Sequence, residues 1–319
     1  MSADLYVEDI AHGNAWTLML GDSCERLAEI ADDAIDLSVY SPPFASLFTY
    51  SPSVRDLGNS ATREEFLAHY RFVIDHVLRV TKPGRISAVH VQQLATTKAS
   101  QGVIGLTDFR GQVIAAHVDA GWIFHGEVTV DKDPQAQAIR TKAQALMFVT
   151  KNRDSSMTRP ALADYLLLFR KPGDNAVPIK NDVSNDEWIE WARPVWLGIR
   201  ETNTLNAAVA RDDADEKHIA PLQLDFIERV VRLWSNRGET VLSPFAGIGS
   251  ELHTAVRLGR RAIGCELKPS YWRTAVGNLT DIEAELSVPV LFDEPDPDAE
   301  DRAADEREHI DREERRCPS

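Results

Sequence analysis

Apolar residues gather in two kinds of stretch that alternate along the chain. Short, nearly continuous runs have the length of buried strands: Trp16–Leu20 (WTLML), Ile35–Tyr40 (IDLSVY), Ile86–Val91, Trp122–Val130, Leu162–Phe169, Thr240–Leu242 and Arg261–Glu266. Between them, apolar positions recur at helical spacing. Glu25–Ala31 places Leu27 and Ile30 on one face, and Arg63–Val80 places Phe66, Tyr70, Val73, Val77 and Val80 there. Asp108–Ala120, Leu222–Trp234, Ser250–Leu258 and Ser270–Leu279 complete the helical set. Breakers fall at the joints: Ser41-Pro42-Pro43-Phe44 after the second strand, Lys82-Pro83-Gly84 after the long helix, Gly121, and Lys171-Pro172-Gly173. Strands alternating with helices predict an α/β fold, a doubly wound Rossmann-like sheet.

Two stretches depart from this rhythm. Asn175–Lys217 is polar, carries Trp188, Trp191 and Trp196, and sustains no period, so it reads as an inserted or variable lobe. Apolar packing of that lobe is a simpler account of the three tryptophans than base stacking. Beyond Leu286 the chain is acidic and proline-bearing with almost no apolar residues, which predicts a disordered tail. The expected organisation is residues 1–174 and 218–280 as two halves of one domain, 175–217 as the lobe, and 281–319 as the tail.

Charge matters only once it is located. The net charge of −15 argues against a nucleic-acid partner, because binding requires cations that replace counterions around phosphate. From Asp281 to Ser319, however, 15 acidic residues face 5 basic ones, which leaves the body at −5. The stretch with Arg140, Lys142, Lys151, Arg153 and Arg159 is the most basic and is a candidate phosphate-contacting surface. No apolar run approaches the roughly 18 residues of a membrane span. Cys24, Cys265 and Cys317 are too scattered for a disulfide framework or a zinc site, so a reducing, cytoplasmic setting without membrane or metal is expected.

Two turns carry chemistry. In Val241–Glu266 a strand enters a turn containing Gly247 and Gly249, a helix follows, and a second strand ends on Glu266. Glycine lets backbone approach a ligand closely, and a carboxylate ending the next strand can accept both hydroxyls of a ribose. A dinucleotide site fits less well, because Leu252 stands where the third glycine of that fingerprint belongs. In Ser41-Pro42-Pro43-Phe44, consecutive prolines fix the backbone and leave carbonyls as free acceptors. An exocyclic amine could donate to the Pro42 carbonyl and the Ser41 hydroxyl while the base stacks on Phe44. Both turns end strands, where an open α/β sheet binds its ligands.

Taken in order, these elements resemble the DNA amino-methyltransferases acting on cytosine N4 or adenine N6, in the permuted arrangement with the catalytic turn first. Ser41-Pro42-Pro43-Phe44 resembles the family's (Asp/Ser/Asn)-Pro-Pro-aromatic motif, and Ser243-Pro244-Phe245-Ala246-Gly247-Ile248-Gly249 its cofactor motif Asp-Pro-Phe-x-Gly-x-Gly. Gly21-Asp22-Ser23, Lys217–Gln223 with His218 and Leu222, and Arg261–Tyr271 with Glu266 resemble three further elements. The match spans Trp16–Leu279 and is closest to stand-alone bacterial and phage modification enzymes. The resemblance implies S-adenosyl-L-methionine as cofactor, held by Asp22, His218, Leu222, Ser243–Gly247, Gly249 and Glu266. It implies duplex DNA as substrate, with Tyr50, Arg55 and Asn59 in a lid and Arg140, Lys142 and Arg159 on phosphate. The 175–217 lobe would read the target sequence. A homodimer and a restriction-enzyme partner are both compatible with it.

The chain departs from the pattern twice. Ser243 replaces the usual acid of the cofactor motif, and Ser41 replaces the acid commonest in adenine enzymes; serine there is more usual for cytosine N4. The sequence has no Pro-Cys nucleophile for C5-cytosine chemistry. Methylation of RNA or of a protein amide stays open, as does a DNA- and cofactor-binding module without catalysis.

Overall fold

The computed structural model describes residues 7–43, 57, 60, 62–96, 102–135, 151–152, 160–180, 182–206 and 221–288. Eleven strands lie in these stretches. They are β1 (Asp9–His12), β2 (Trp16–Leu20), β3 (Ile35–Tyr40), β4 (Thr81–Gln92), β5 (Leu94–Thr96), β6 (Gly105–Thr107), β7 (Ile123–Val130), β8 (Asp164–Arg170), β9 (Val195–Trp196), β10 (Thr240–Ser243) and β11 (Arg261–Glu266). Nine of them form one sheet in the order β1-β2-β11-β10-β3-β4-β8-β7-β9, and β5 pairs with β6 separately. The central run β2, β11, β10, β3, β4 is parallel throughout, while β1 and β8 pair antiparallel to their neighbours.

Alternation along the strands sends side chains into two cores. On one face Leu37, Val39, Leu166, Leu168 and Val241 pack with α5 (Leu224–Trp234), α6 (Ser250–Arg257) and α7 (Pro269–Ser287). On the other, Ile35, Tyr40, Leu167, Phe169 and Leu242 pack with α1 (Ser23–Ala28), α2 (Arg63–Val80) and α3 (Phe109–Asp119). Helices on both faces of a mostly parallel sheet are the expected doubly wound architecture. Among the described residues no helix is long and apolar enough to cross a membrane.

The elements match the sequence pattern with instructive exceptions. The Lys82-Pro83-Gly84 stop does end α2, but it lies within β4, which begins at Thr81 and not at Ile86. Lys82 extends to Asp36 at 2.6 Å there, and the register against β3 shifts between Ile35 and Leu37. β1 escapes detection because it is an edge strand with three exposed residues of four. The last helix continues past Leu279 to Ser287, so the expected tail 281–319 begins inside a helix. Ile282 is buried, and Glu283 accepts from the amides of Asn14 and Ala15, so tertiary contacts hold the added turns.

The described part of the 175–217 stretch packs onto the main sheet. A capping box between Ser184 and Glu187 starts α4 (Asn185–Trp191), and β9 pairs with β7. Trp196 is fully buried, edge-on to Phe226 and stacked near Trp234, and its indole N–H donates to the Trp191 carbonyl at 2.8 Å. Arg232 and Arg260 converge on Asp182, and Arg232 also bonds Glu187. Trp191 and Trp196 are thus core side chains, whereas Trp188 is exposed. Polar spacing hid this segment because its helix and strand are short and its anchors are arginines on α5 and at the entry to β11.

Candidate active site

The strand order places the switch in winding direction between β10 and β3, which are parallel neighbours with Val241 opposite Leu37 and Leu242 opposite Ser38. Open α/β sheets bind ligands where chains leave such strands in opposite directions. The Ser41-Pro42-Pro43 turn leaves β3 here, and the Pro244–Gly249 turn leaves β10 beside it. Phe245 packs its ring 5.9 Å from that of Tyr40, so the two corners are in direct contact.

The β10 corner is knit mainly by backbone groups. Glu266, at the end of β11, accepts from the Gly247 amide through one oxygen and from the Lys268 amide through the other, both at 2.8 Å. Gly21, following β2, donates to the Glu266 carbonyl at 2.9 Å. Asp22 caps α1 by accepting from Cys24, and Ser23 donates to the Pro244 carbonyl at 2.5 Å. Asp22, two residues after β2, and Glu266, the last residue of β11, therefore lie at the ends of paired strands.

Three glycines here serve different needs. At Gly247 φ is +54°, and an added Cβ would have no atom of the described residues within 4 Å. At Gly249 φ is +87°, and a Cβ would crowd that of Ala275 at 3.1 Å, so α6 packs closely on α7. At Gly264 a Cβ would strike Leu252 at 2.8 Å, which brings α6 down on β11. Packing thus explains Gly249 and Gly264, whereas Gly247 leaves room beside the Glu266 carboxylate.

This corner fits a nucleoside-bearing cofactor on its own geometry. Among the described residues the buried hydroxyls of Ser243 and Ser250 have no hydrogen-bond partner, and a buried polar atom of that kind invites a ligand group. Glu251 is also buried here. Burial, and secondarily the charge of Glu266, pushes its carboxyl up to about 8. Leu222 is buried in one core, and Phe245 packs against the other.

The β3 corner is knit by side chains from distant strands. The register of β3 on β4 pairs Tyr40 with Val89 and brings Ser41 level with His90. Ser41 Oγ lies 3.2 Å from His90 Nδ1 and 3.2 Å from the His90 carbonyl. On the ring's far side Nε2 is 3.0 Å from Asp164 Oδ2, which Lys132 Nζ also approaches to 2.7 Å. Gln92 donates to the other Asp164 oxygen at 2.7 Å. Burial works against charge on Asp164, but His90 and Lys132 outweigh it and hold the carboxyl below the usual range. His90, Asp164 and Lys132 are all buried.

Beneath Ser41 lies a second polar chain. Tyr70 donates to the Tyr40 hydroxyl at 3.2 Å, and that hydroxyl is 3.4 Å from His117 Nε2. His117 Nδ1 is 2.8 Å from the Val113 carbonyl, and its ring stacks on Phe169 at 4.0 Å. Burial pushes the Tyr40 hydroxyl up to about 12 and the His117 imidazole down to about 3.

Of the residues singled out from sequence, Ser41, Pro42, Pro43, Asp22, Leu222, Ser243, Pro244, Phe245, Ala246, Gly247, Gly249 and Glu266 fall within the described structure, the turn residues at one edge of the sheet. Phe44, Tyr50, Arg55, Asn59, Arg140, Lys142, Arg159 and His218 lie outside the described residues. Sequence reasoning missed His90, Asp164 and Lys132. The available signal was a histidine near the end of the apolar run ISAVHV, and an aspartate opening the run DYLLLF.

A family model for DNA methylases acting at N6 or N4 matches residues 35–277. The type II methyltransferase M.BglI of Bacillus subtilis is 32% identical over 109 residues, which are 34% of this chain and 28% of that protein. The type II methyltransferase M1.MboII of Moraxella bovis is 25% identical over 81% of this chain and 94% of its own length. A DNA modification methylase fold from Thermus thermophilus, solved with S-adenosyl-L-methionine, superposes with a TM-score of 0.61 at 23% identity, covering 82% of this chain and 94% of that one. With the family model spanning both turns and the sheet between them, the chain belongs to the N6/N4 DNA methylase family.

Proposed function

We propose that the protein transfers a methyl group from S-adenosyl-L-methionine to the exocyclic amine of a base flipped out of duplex DNA. The pairing of β3 with β10 carries this reading, because it sets the diproline turn beside the glycine turn at the carboxyl ends of two central strands. The cofactor supplies a methyl group already activated as a sulfonium. The chain's task is then to position and polarise the amine, without a covalent intermediate or a metal.

In this reading Glu266 takes the ribose hydroxyls, Asp22 lies by the adenine, and the space at Gly247 lets the cofactor lie against backbone. Ser243 and Ser250 offer hydroxyls to its polar end. Ser41 and the Pro42 carbonyl accept the two N–H groups of the target amine, which draws its lone pair out of conjugation with the ring. Phe44 provides the stacking face. A serine at 41 favours cytosine N4 over adenine N6. The 175–217 stretch is assigned to target recognition, supported by exposed Trp188, Ile189 and Leu197. The stretch with Arg140, Lys142 and Arg159, together with Tyr50, Arg55 and Asn59, is assigned to DNA contact.

The test is transfer of labelled methyl from S-adenosyl-L-methionine to unmethylated duplex DNA, with RNA and protein extract as competitors and chromatography of the digested product. N4-methylcytosine is the expected product. N6-methyladenine would revise the base alone; label only in RNA or protein, or none at all, would overturn the reading.

A further inference from the structure

We propose that His90, oriented by Asp164, receives through Ser41 the proton that the target amine loses on methylation, which makes both residues positioning groups of the reaction. The inference rests on the methyl-transfer reading above. It starts from a shortfall in that reading. An amine that gains a methyl group becomes an ammonium and must shed a proton. Proline carbonyls can accept a hydrogen bond but cannot keep the proton at neutral pH, and a serine hydroxyl is a weak base unless its own proton can move on.

The geometry supplies the next acceptor. Ser41 Oγ stands 3.2 Å from His90 Nδ1, and Asp164 Oδ2 stands 3.0 Å from Nε2 on the opposite side of the ring. Asp164 Oδ2 lies close to Nε2 without the angle of a hydrogen bond, and its negative charge favours the tautomer with the hydrogen on Nε2, leaving Nδ1 bare toward the serine. The Ser41 hydroxyl, which also has the His90 carbonyl at 3.2 Å as an acceptor, then turns its hydrogen to Nδ1 and its lone pairs toward the amine. In the reaction the N–CH3 bond forms as the S–CH3 bond breaks, with that bonding pair leaving on sulfur. One amine proton passes to Ser41 Oγ while the hydroxyl's own proton passes to Nδ1. The products are a methylated neutral amine, a thioether, an intact serine and an imidazolium beside Asp164.

Among the described residues, groups from several elements surround the ring or its carboxylate. Ser41 comes from the end of β3, Asp164 from β8, Lys132 from the segment after β7, and Phe226 of α5 sets its ring edge-on at 5.2 Å. Lys132 shares the Asp164 oxygen, so the carboxylate is balanced before the imidazole charges, and the acquired charge is transient. The alternative is that His90 only ties β4 to β8. A tie of that kind would not require contact with Ser41, the residue that follows β3.

Single-turnover methylation of duplex DNA by Ser41→Ala, His90→Asn and the double variant separates the two. His90→Asn should lose about 10²-fold in rate with S-adenosyl-L-methionine affinity within about threefold, and the double variant should lose little more than Ser41→Ala alone. Any fall in wild-type rate toward acid pH should be lost in His90→Asn. A variant within about twofold of wild type, with the same pH profile, overturns the proposal and leaves the methyl-transfer reading standing. A wild-type protein that methylates no DNA sinks the parent reading instead. Histidine-ring nitrogen NMR of the wild-type protein decides the point even if His90→Asn does not fold: the Nε2–H tautomer is expected, and a proton on Nδ1 overturns the relay.

Discussion

At the β10 corner, the groups that would hold a cofactor come mostly from one stretch, residues 241–268, with a strand, a turn, a helix and a strand in succession. Glu266 is fixed there by the amides of Gly247 and Lys268. At the β3 corner, Ser41 just after β3 meets His90 of β4, then Asp164 of β8 and Lys132 just after β7, so residues far apart in the chain contribute. The first corner depends on backbone hydrogen bonds that any correct turn makes. The second depends on sheet register, because a one-residue slip of β4 would turn His90 to the other face. A binding corner can therefore be specified locally, whereas this reaction corner exists only after the sheet has assembled.

Substitutions at each corner test this contrast. Ser41→Ala should have the largest effect, lowering the methylation rate by about 10²- to 10³-fold while cofactor affinity stays within about threefold; equal loss in both would merge the corners. Glu266→Ala should do the reverse, weakening S-adenosyl-L-methionine binding by roughly 10²-fold in calorimetry through loss of charged hydrogen bonds worth about 3 kcal/mol. The two glycines divide the β10 corner further. Gly247→Ala should weaken cofactor binding by roughly tenfold, because its Cβ enters open ligand space, with a melting-temperature change limited to the left-handed strain. Gly249→Ala should chiefly lower stability by about 1–3 kcal/mol, because its Cβ presses on Ala275. A Gly247→Ala protein that binds cofactor normally would remove the space argument.

The remaining predictions are opposite pH dependences of stability beneath the two corners. His117, under the β3 corner, has its folded pKa pushed down to about 3, so its contribution to stability is complete above about 6.5 and is lost as pH falls. Glu251, under the β10 corner, has its folded pKa raised to about 8, so its contribution is complete below about 4.5 and is lost as pH rises toward 8. Each amounts to about 1.4 kcal/mol per pH unit within its window, and between about 4.5 and 6.5 the two oppose. Denaturant unfolding against pH should therefore show His117→Phe losing acid sensitivity and Glu251→Gln losing alkaline sensitivity. The same slope in both variants as in the wild type would contradict the assignment.

How much could be read without coordinates varied with element type. Parallel strands buried on both faces, such as Ile35–Tyr40 and Arg261–Glu266, coincided with their expected bounds because continuous apolar runs leave few alternatives. Elements fixed by distant partners did not announce themselves. β9 is two residues long and owes its place to β7 and to the burial of Trp196, while the end of α7 is held by the amides that Glu283 accepts from. The site divided along the same line: Gly247, Glu266 and the Ser41-Pro42-Pro43 turn were visible as motifs, but His90 and Asp164 were isolated polar residues in separate apolar runs.

What the sequence determined by itself is the alternation of strand and helix, the two turns, and, through their order, the family. Those features are short-range: periodicity, proline and glycine act within a few residues of where they stand. Tertiary structure decided that β3 and β10 are neighbours, that the 182–196 segment joins the main sheet, and that a serine, a histidine and a carboxylate from three strands fall into line. Pairing of strands far apart in the chain is set by which faces can be buried together, and a linear pattern does not contain that information until the sheet closes around its two cores.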